Sequence, residues 1–392
     1  MVITYIQDQE IYQYKNDYYH SKSIHFFSKY LVGFQPEDKL VVLGGIIKVD
    51  DIELISKCKK ITHKSIIYKK LPDFRKLSNL IKIAKLASHE VKKSDFCYLR
   101  CGIASSFAAI TCGKYKIPYM SIVNEDVYKN SMTHPKLMVK LSAFPLWFCT
   151  RISVRNADYA CYVTQEYLQK KYPNRHLHLG CSDVETLELK KQIFDKRLEK
   201  IKSYNEQVCI IGTAGSVEAF LKAHDIVIKA LKILNQKTSI KFIYEIAGSG
   251  NPERLKELTH KLGVESQVRF LGQLSQDNIL TWMDSLDIYV HPSRSEGLPR
   301  TIIEAISRAV PCICSNVGGV PELINHKFLF SQKNKYPENE LAELLLKMNK
   351  NEMKKQAEVN FKNAYNYAPD KLQKKHDLFF GNAINYVRKN LN

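Results

Sequence analysis

Short apolar runs and amphipathic stretches alternate at an even spacing through the second half of this chain, and that rhythm constrains the fold more than any other feature. VCIIG (208–212), KFIYEIAG (241–248), QVRFLG (267–272), DIYVHPS (287–293) and PCICSN (311–316) read as buried strands bounded by Gly, Pro or Ser. Helical patterns run between them: Asp225 to Leu234, a stretch opened by Pro252 and stopped near Gly263, Ser275 to Leu286 with Ser275 as N-cap, and Pro299 to Arg308. Parallel strands need crossovers, so this alternation implies a parallel sheet covered by helices on both faces. The first half repeats the pattern with LVVLGG (40–45), DFCYLR (95–100), IPYMSIV (117–123) and ADYACYVT (157–164), and a helix from Leu77 to Lys92. The expected fold class is α/β, with two Rossmann-like domains whose parallel sheets face a ligand cleft at the carboxyl ends of the strands. The expected boundaries are 1–182 for the first domain, a charged linker over 183–205, 206–365 for the second domain, and a C-terminal helix over 366–392. That helix follows Pro369 and is free to pack back on the N-terminal domain.

At 392 residues the chain is long enough for two cores, and no repeat of 20–50 residues is present. Apolar runs such as Leu141 to Cys149 are shorter than the ~18–20 residues that span a bilayer, and the N-terminus lacks a signal-peptide pattern. A soluble, cytoplasmic chain is therefore expected. The ten cysteines are scattered without metal-ligand spacing, which reads as reduced core thiols. Charge is more telling. There are 59 basic against 40 acidic residues, a net +19; residues 1–200 hold 33 basic and 20 acidic, and residues 57–93 hold 12 and two. Such a field suits an anionic partner, whether nucleic acid, lipid headgroups or a phosphorylated substrate, unless it is only a solvated lysine-rich face. No nucleic-acid-binding motif accompanies it.

No P-loop, H-E-x-x-H or G-x-S-x-G is present. Gly248-Ser249-Gly250 lacks the third glycine of a dinucleotide fingerprint but serves as a tight turn that lets backbone approach a ligand. The most informative segment is SEGLPRTIIEAISRAVPCICSNVGGVPELI (295–324). It places Glu296 in a loop and Glu304 on the helix that follows. The amides of Gly297 and Leu298 precede that helix and suit a phosphate. Glu304 can accept hydrogen bonds from a ribose diol, and Glu296 faces a group beyond the phosphates.

This segment resembles the retaining, GT-B-fold glycosyltransferases of family 4, whose signature is a pair of glutamates in this arrangement. GTAGSVEAFLKAHDIVIKAL (212–231) resembles the family's phosphate loop and helix, FIYEIAGSG (242–250) the strand and turn facing the nucleotide, and VRFLGQLS (268–275) the loop beside the base. LRCGIASS (99–106) and residues 156–173 resemble capsular or exopolysaccharide members. The resemblance implies transfer of a sugar from a nucleotide donor, UDP-linked, to a glycan or lipid-linked glycan acceptor with retained configuration. It implies no metal and no cofactor, an acceptor domain in the first half and no nucleic-acid partner; with glycan assembly at a membrane, the basic residues over 57–93 then suit peripheral, salt-sensitive association of the N-terminal domain with an anionic membrane surface, without insertion. Glu296 and Lys222 would be the catalytic pair. Gly212, Gly248, Gly250, Gly297, Leu298, Arg300 and Glu304 would bind the donor, with Gly212 permitting close approach to the phosphates. Arg100, Asp126 and His134 would line the acceptor side.

The chain departs from the family at two points. Residues 213–221 contain no arginine upstream of Lys222, and Ala223 stands where the family has glycine. Arg300 is the sequence's candidate for the missing positive charge. Two other classes remain open at this stage: a GT-B-type sugar-nucleotide epimerase, and a non-catalytic basic protein that binds membrane or nucleic acid.

Overall fold

The computed structural model describes the chain except for residues 21–23, 51–54, 56–57, 74–75, 185–186 and 392. Two units emerge: Met1–Tyr128 with Ser142–Glu185 and Asp370–Asn392, and Lys129–Leu141 with Thr186–Pro369.

The first unit is built on β1 (Val2–Tyr14), β2 (Asp17–His20), β3 (Lys39–Lys48), β4 (Lys59–Lys60), β5 (Ile66–Lys70), β6 (Phe96–Arg100), β7 (Tyr119–Val123), β8 (Tyr159–Tyr162) and β9 (Leu177–Gly180). Parallel pairing runs β5-β3-β1-β6-β7-β8-β9, while β2 and β4 extend it in antiparallel fashion. β1 is central, yet its sequence does not read as a buried strand, because Gln7-Asp8-Gln9-Glu10 interrupts the apolar run. Its register on β3 shifts between Ile6 and Glu10, where the strand stops following a simple ladder. Tyr5, Tyr30, Tyr98 and Phe380 pack ring to ring, with centroids 4.5–5.6 Å apart. Phe380 comes from the helix Pro369–Leu391, whose Ala383, Ile384 and Val387 are buried in the same core. The basic segment 57–93 is spread over β4, β5 and the helix Leu80–Val91, and is partly neutralised: Lys60 pairs with Asp17 and Lys69 with Glu90, each at 2.7 Å. Lys57 lies outside the described residues.

The second unit carries β10 (Val208–Ala214), β11 (Lys241–Ala247), β12 (Val268–Gly272), β13 (Ile288–His291), β14 (Cys312–Ser315) and β15 (Leu329–Phe330). All pairs are parallel in the order β12-β11-β10-β13-β14-β15. The chain winds one way from β10 and then the other, so the loops after β10 and β13 splay apart and leave a crevice at their carboxyl ends. Fully buried side chains such as Ile211, Tyr244, Ile288 and Val290 hold the sheet to its helices, each contributing on the order of 1.5–3 kcal/mol relative to exposure.

Two expectations change. The stretch 183–205 is not merely a linker: Lys191–Lys202 is a helix with Ile193, Arg197 and Ile201, four residues apart, buried on one edge. The Arg197 guanidinium donates to the carbonyls of Leu286 (2.6 Å) and Met283 (3.0 Å), closing a helix end, and burial lowers its pKa to about 10. Charge composition concealed this edge. Residues Leu137–Asn156 also form a helical stretch of 20 residues, long and apolar enough to cross a membrane by length and composition. The run Leu141–Cys149 alone does not reach that length. All ten cysteines are free thiols, eight of them buried.

Candidate active site

At the switch point of the second unit, β10 ends at Ala214 and the chain enters a loop that closes with the short turn Phe220–Lys222, followed by the helix His224–Lys237. This loop is tied to the one after β11: Gly215 N–H donates to Ala247 O (2.9 Å) and Val217 N–H to Ser249 O (3.0 Å). A Cβ on Gly248 would lie 1.9 Å from Gly215 O, so only glycine permits this approach. Gly250, at φ +111°, sits against Glu218, whose carboxylate accepts from Asn251 N–H at 2.9 Å. The Gly-Ser-Gly turn thus holds the backbone of the loop after β10. Gly212 differs from the expectation. It lies within β10, and a Cβ there would meet Leu286 and Trp282 at 2.6 Å, so its missing side chain makes room for core packing and not for a phosphate.

Lys222 and Glu296, 74 residues apart, meet here: Lys222 Nζ donates to Glu296 Oε1 at 2.7 Å. His291, the last residue of β13, places Nε2 3.0 Å from the same oxygen. Burial would raise the Glu296 carboxyl, but the Lys222 ammonium and the His291 ring outweigh it and hold the group well below the carboxylate range. Burial lowers the His291 pKa, with Glu296 opposing. Ala223, at φ +53°, occupies the left-handed region that explains glycine in the family pattern.

An arginine outside the loop holds its end in place. Arg294, two residues before Glu296, donates to both oxygens of Asp225 (3.0 and 2.7 Å) and to Phe220 O (2.6 Å), and its guanidinium lies 4.0 Å from the centre of the Phe220 ring. Its own N–H donates to Leu221 O at 2.8 Å. Arg294 therefore clamps the turn that aims Lys222. Sequence reasoning sought a basic residue within the loop. The available signal was the acid at Asp225, which needed a partner.

Gly297 and Leu298 lie in the turn that leads into the N-terminus of the helix Arg300–Ser307. The turn is braced by Gly319 N–H donating to Gly297 O (2.7 Å), and a Cβ on Gly318 would meet Glu296 O at 2.1 Å. Glu304 lies on that helix, buried, near the hydroxyl of Tyr289. Arg300 is exposed at the helix start.

His224 anchors the loop from below, its ring nitrogens 2.8 Å from Tyr244 Oη and 3.3 Å from Ser216 O. Burial lowers its pKa from 6.5 to about 4. The unfolded chain then binds a proton at a higher pH than the folded one. Stability is full above pH 6.5 and falls as pH drops toward 4, by on the order of 2–3 kcal/mol for this residue. His376 in the first unit, lowered by burial to about 4, acts in the same direction. Denaturant unfolding at pH 7 and pH 4.5 should show the loss, and His224→Gln should flatten the slope.

The three residues expected on the acceptor side each have partners of their own. Arg100 ends β6 and is buried beside Tyr5 and Tyr30; burial lowers its pKa, but these tyrosines and Asp183 outweigh it and keep the group charged. Asp126 is buried, accepting from Tyr167 Oη (2.6 Å) and Tyr172 Oη (3.0 Å). His134 lies in a turn, its Nδ1 accepting from Lys136 N–H at 3.1 Å. Asp126 is thus a structural tie between segments of the first unit.

A doubly wound parallel sheet with a lysine–carboxylate pair and a helix start at its switch point defines an α/β protein with a candidate ligand crevice at the carboxyl ends of its strands. The profile of glycosyl transferases group 1 matches residues 195–366. Protein CapJ of Staphylococcus aureus is 31% identical over 345 residues, 85% of this chain and 83% of that protein. The chain belongs to the group 1 glycosyl transferases, in the GT-B fold. Among solved structures, WaaG, a glycosyltransferase involved in lipopolysaccharide biosynthesis, superposes with a TM-score of 0.63 at 16% identity, covering 96% of this chain and 99% of that one. HepE of Anabaena in complex with UDP and glucose superposes at 0.61 with 16% identity, covering 100% of each chain.

Proposed function

We propose that the protein transfers a sugar, with retention, from a nucleotide donor (UDP-linked) to a glycan or lipid-linked glycan acceptor in surface-polysaccharide assembly, working at the cytoplasmic face of the cell membrane. The observation that carries this reading is the Lys222–Glu296 pair beside the start of the helix Arg300–Ser307, at the switch point. The relatives support it: AmsK of Erwinia amylovora, 33% identical over 112 residues that make up 27% of each chain, is an amylovoran biosynthesis glycosyltransferase. In this reading Lys222 and the amides of Gly297 and Leu298 stabilise the leaving diphosphate, Glu304 binds the ribose and Glu296 the donor sugar. The bond from sugar C1 to the diphosphate oxygen breaks with its electron pair leaving on the diphosphate. The acceptor oxygen bonds C1 on the same face, and its proton passes to a diphosphate oxygen. The transition state is oxocarbenium-like.

A panel of nucleotide sugars screened by thermal shift tests the reading, because a ligand that binds only the folded state raises the melting temperature. At least one donor should stabilise the protein, and transfer should survive excess EDTA, since Lys222 and the amides supply the positive charge. Abolition by EDTA with rescue by magnesium or manganese would contradict the metal-independent scheme. Turnover of the donor to an epimer without acceptor would favour an epimerase.

A further inference from the structure

The helix Ala143–Asn156 buries Ala143, Thr150 and Val154 along one edge. On the side turned away from that edge, Phe144, Phe148 and Ile152 follow at four-residue spacing with 62%, 50% and 43% of their surfaces exposed. Only 17% of the most apolar window of the stretch Leu137–Asn156 is buried. A row of large apolar side chains in water is costly unless something covers it.

The charge around the stripe says what covers it. Residues 127–157 contain five basic side chains (Lys129, Lys136, Lys140, Arg151 and Arg155) and no acidic one. The Arg151 guanidinium lies 5.6 Å from the centre of the Trp147 ring, next to the stripe. A second copy of this chain would set like charge against like charge across the same face. We infer that the stripe is a membrane-docking element, which lies in the plane of an anionic lipid surface with Phe144, Phe148 and Ile152 among the acyl chains and the basic groups among the headgroups. The helix does not cross the bilayer, because its Ala143–Val154 edge is packed within the protein while a spanning helix needs an apolar surround. This replaces purely electrostatic attachment through 57–93 with shallow apolar insertion. The inference does not rest on the donor-site reading.

Flotation of the full chain with vesicles of phosphatidylcholine, with and without phosphatidylglycerol, tests it. The protein should float with the anionic vesicles, and added salt should weaken the association without abolishing it. Changing Phe144, Phe148 and Ile152 together to Gln should reduce binding roughly tenfold or more. Changing Lys59, Lys60, Lys69 and Lys70 to Gln should have a smaller effect. Circular dichroism and nucleotide binding on the triple variant separate loss of docking from loss of fold or donor site. Absence of vesicle binding at low salt, or equal binding by the triple variant, overturns the inference. So does self-association that the triple variant disperses while vesicles are ignored, which would make the stripe a protein interface.

Discussion

Lys222→Met should lower the transfer rate by about two to three orders of magnitude, the loss expected when a preorganised positive group facing a developing anion is removed. The same change leaves the Glu296 carboxylate buried with His291 as its remaining basic neighbour in the pair's geometry. Stability should therefore fall by about 2 kcal/mol, less than the 3–5 of a fully buried broken pair, because solvent reaches part of the lysine. These two consequences separate in the double variant Lys222→Met, Glu296→Gln. Neutralising both partners should recover most of the melting temperature while transfer stays lost. A double variant that regains activity would show that Lys222 acts only through folding.

Arg294→Ala should reduce kcat/KM by about ten- to a hundredfold, with a raised KM for the donor, although Arg294 need not touch the ligand. It fixes Phe220, Leu221 and Asp225 on either side of Lys222, and an error near 1 Å in a charged group can cost about a hundredfold. Lysine at 294 should restore little, since an ammonium cannot match the two-oxygen bond to Asp225 or lie over the Phe220 ring in the same way. Steady-state kinetics well below the melting temperature checks this, and wild-type kcat/KM in Arg294→Ala would remove the clamp from the account.

The second unit was legible because every strand that builds the switch point is an apolar run closed by a turn residue. Ser275 even caps its helix as expected, accepting from Asn278 N–H. β15, two residues long, and the helices Pro337–Leu346 and Lys350–Ala364 carry weaker signals and were not read. The first unit was harder, since β1 hides its central role behind a polar insertion. Within the site, Glu296 and Glu304 stood out by their place around a helix start and Lys222 by the family resemblance, and the Lys222–Glu296 contact was not legible: a pair 74 residues apart is set by topology. Gly212 misled because a glycine at the end of an apolar run fits both ligand approach and core crowding. Arg294 was missed because its role depends on Phe220 and Asp225, which the sequence places far away.

In the proposed function the crevice beside Glu304 and Lys222 holds the nucleotide of a sugar donor. Calorimetric titration with UDP and the other nucleoside diphosphates, on the parent protein and on Glu304→Ala, tests it most directly. One diphosphate should bind the parent without added metal. Binding to Glu304→Ala should be weaker by on the order of 1.5–3 kcal/mol, the value of hydrogen bonds to a charged acceptor. Equal affinity in the two proteins, or no binding of any nucleoside diphosphate to the parent, would contradict it.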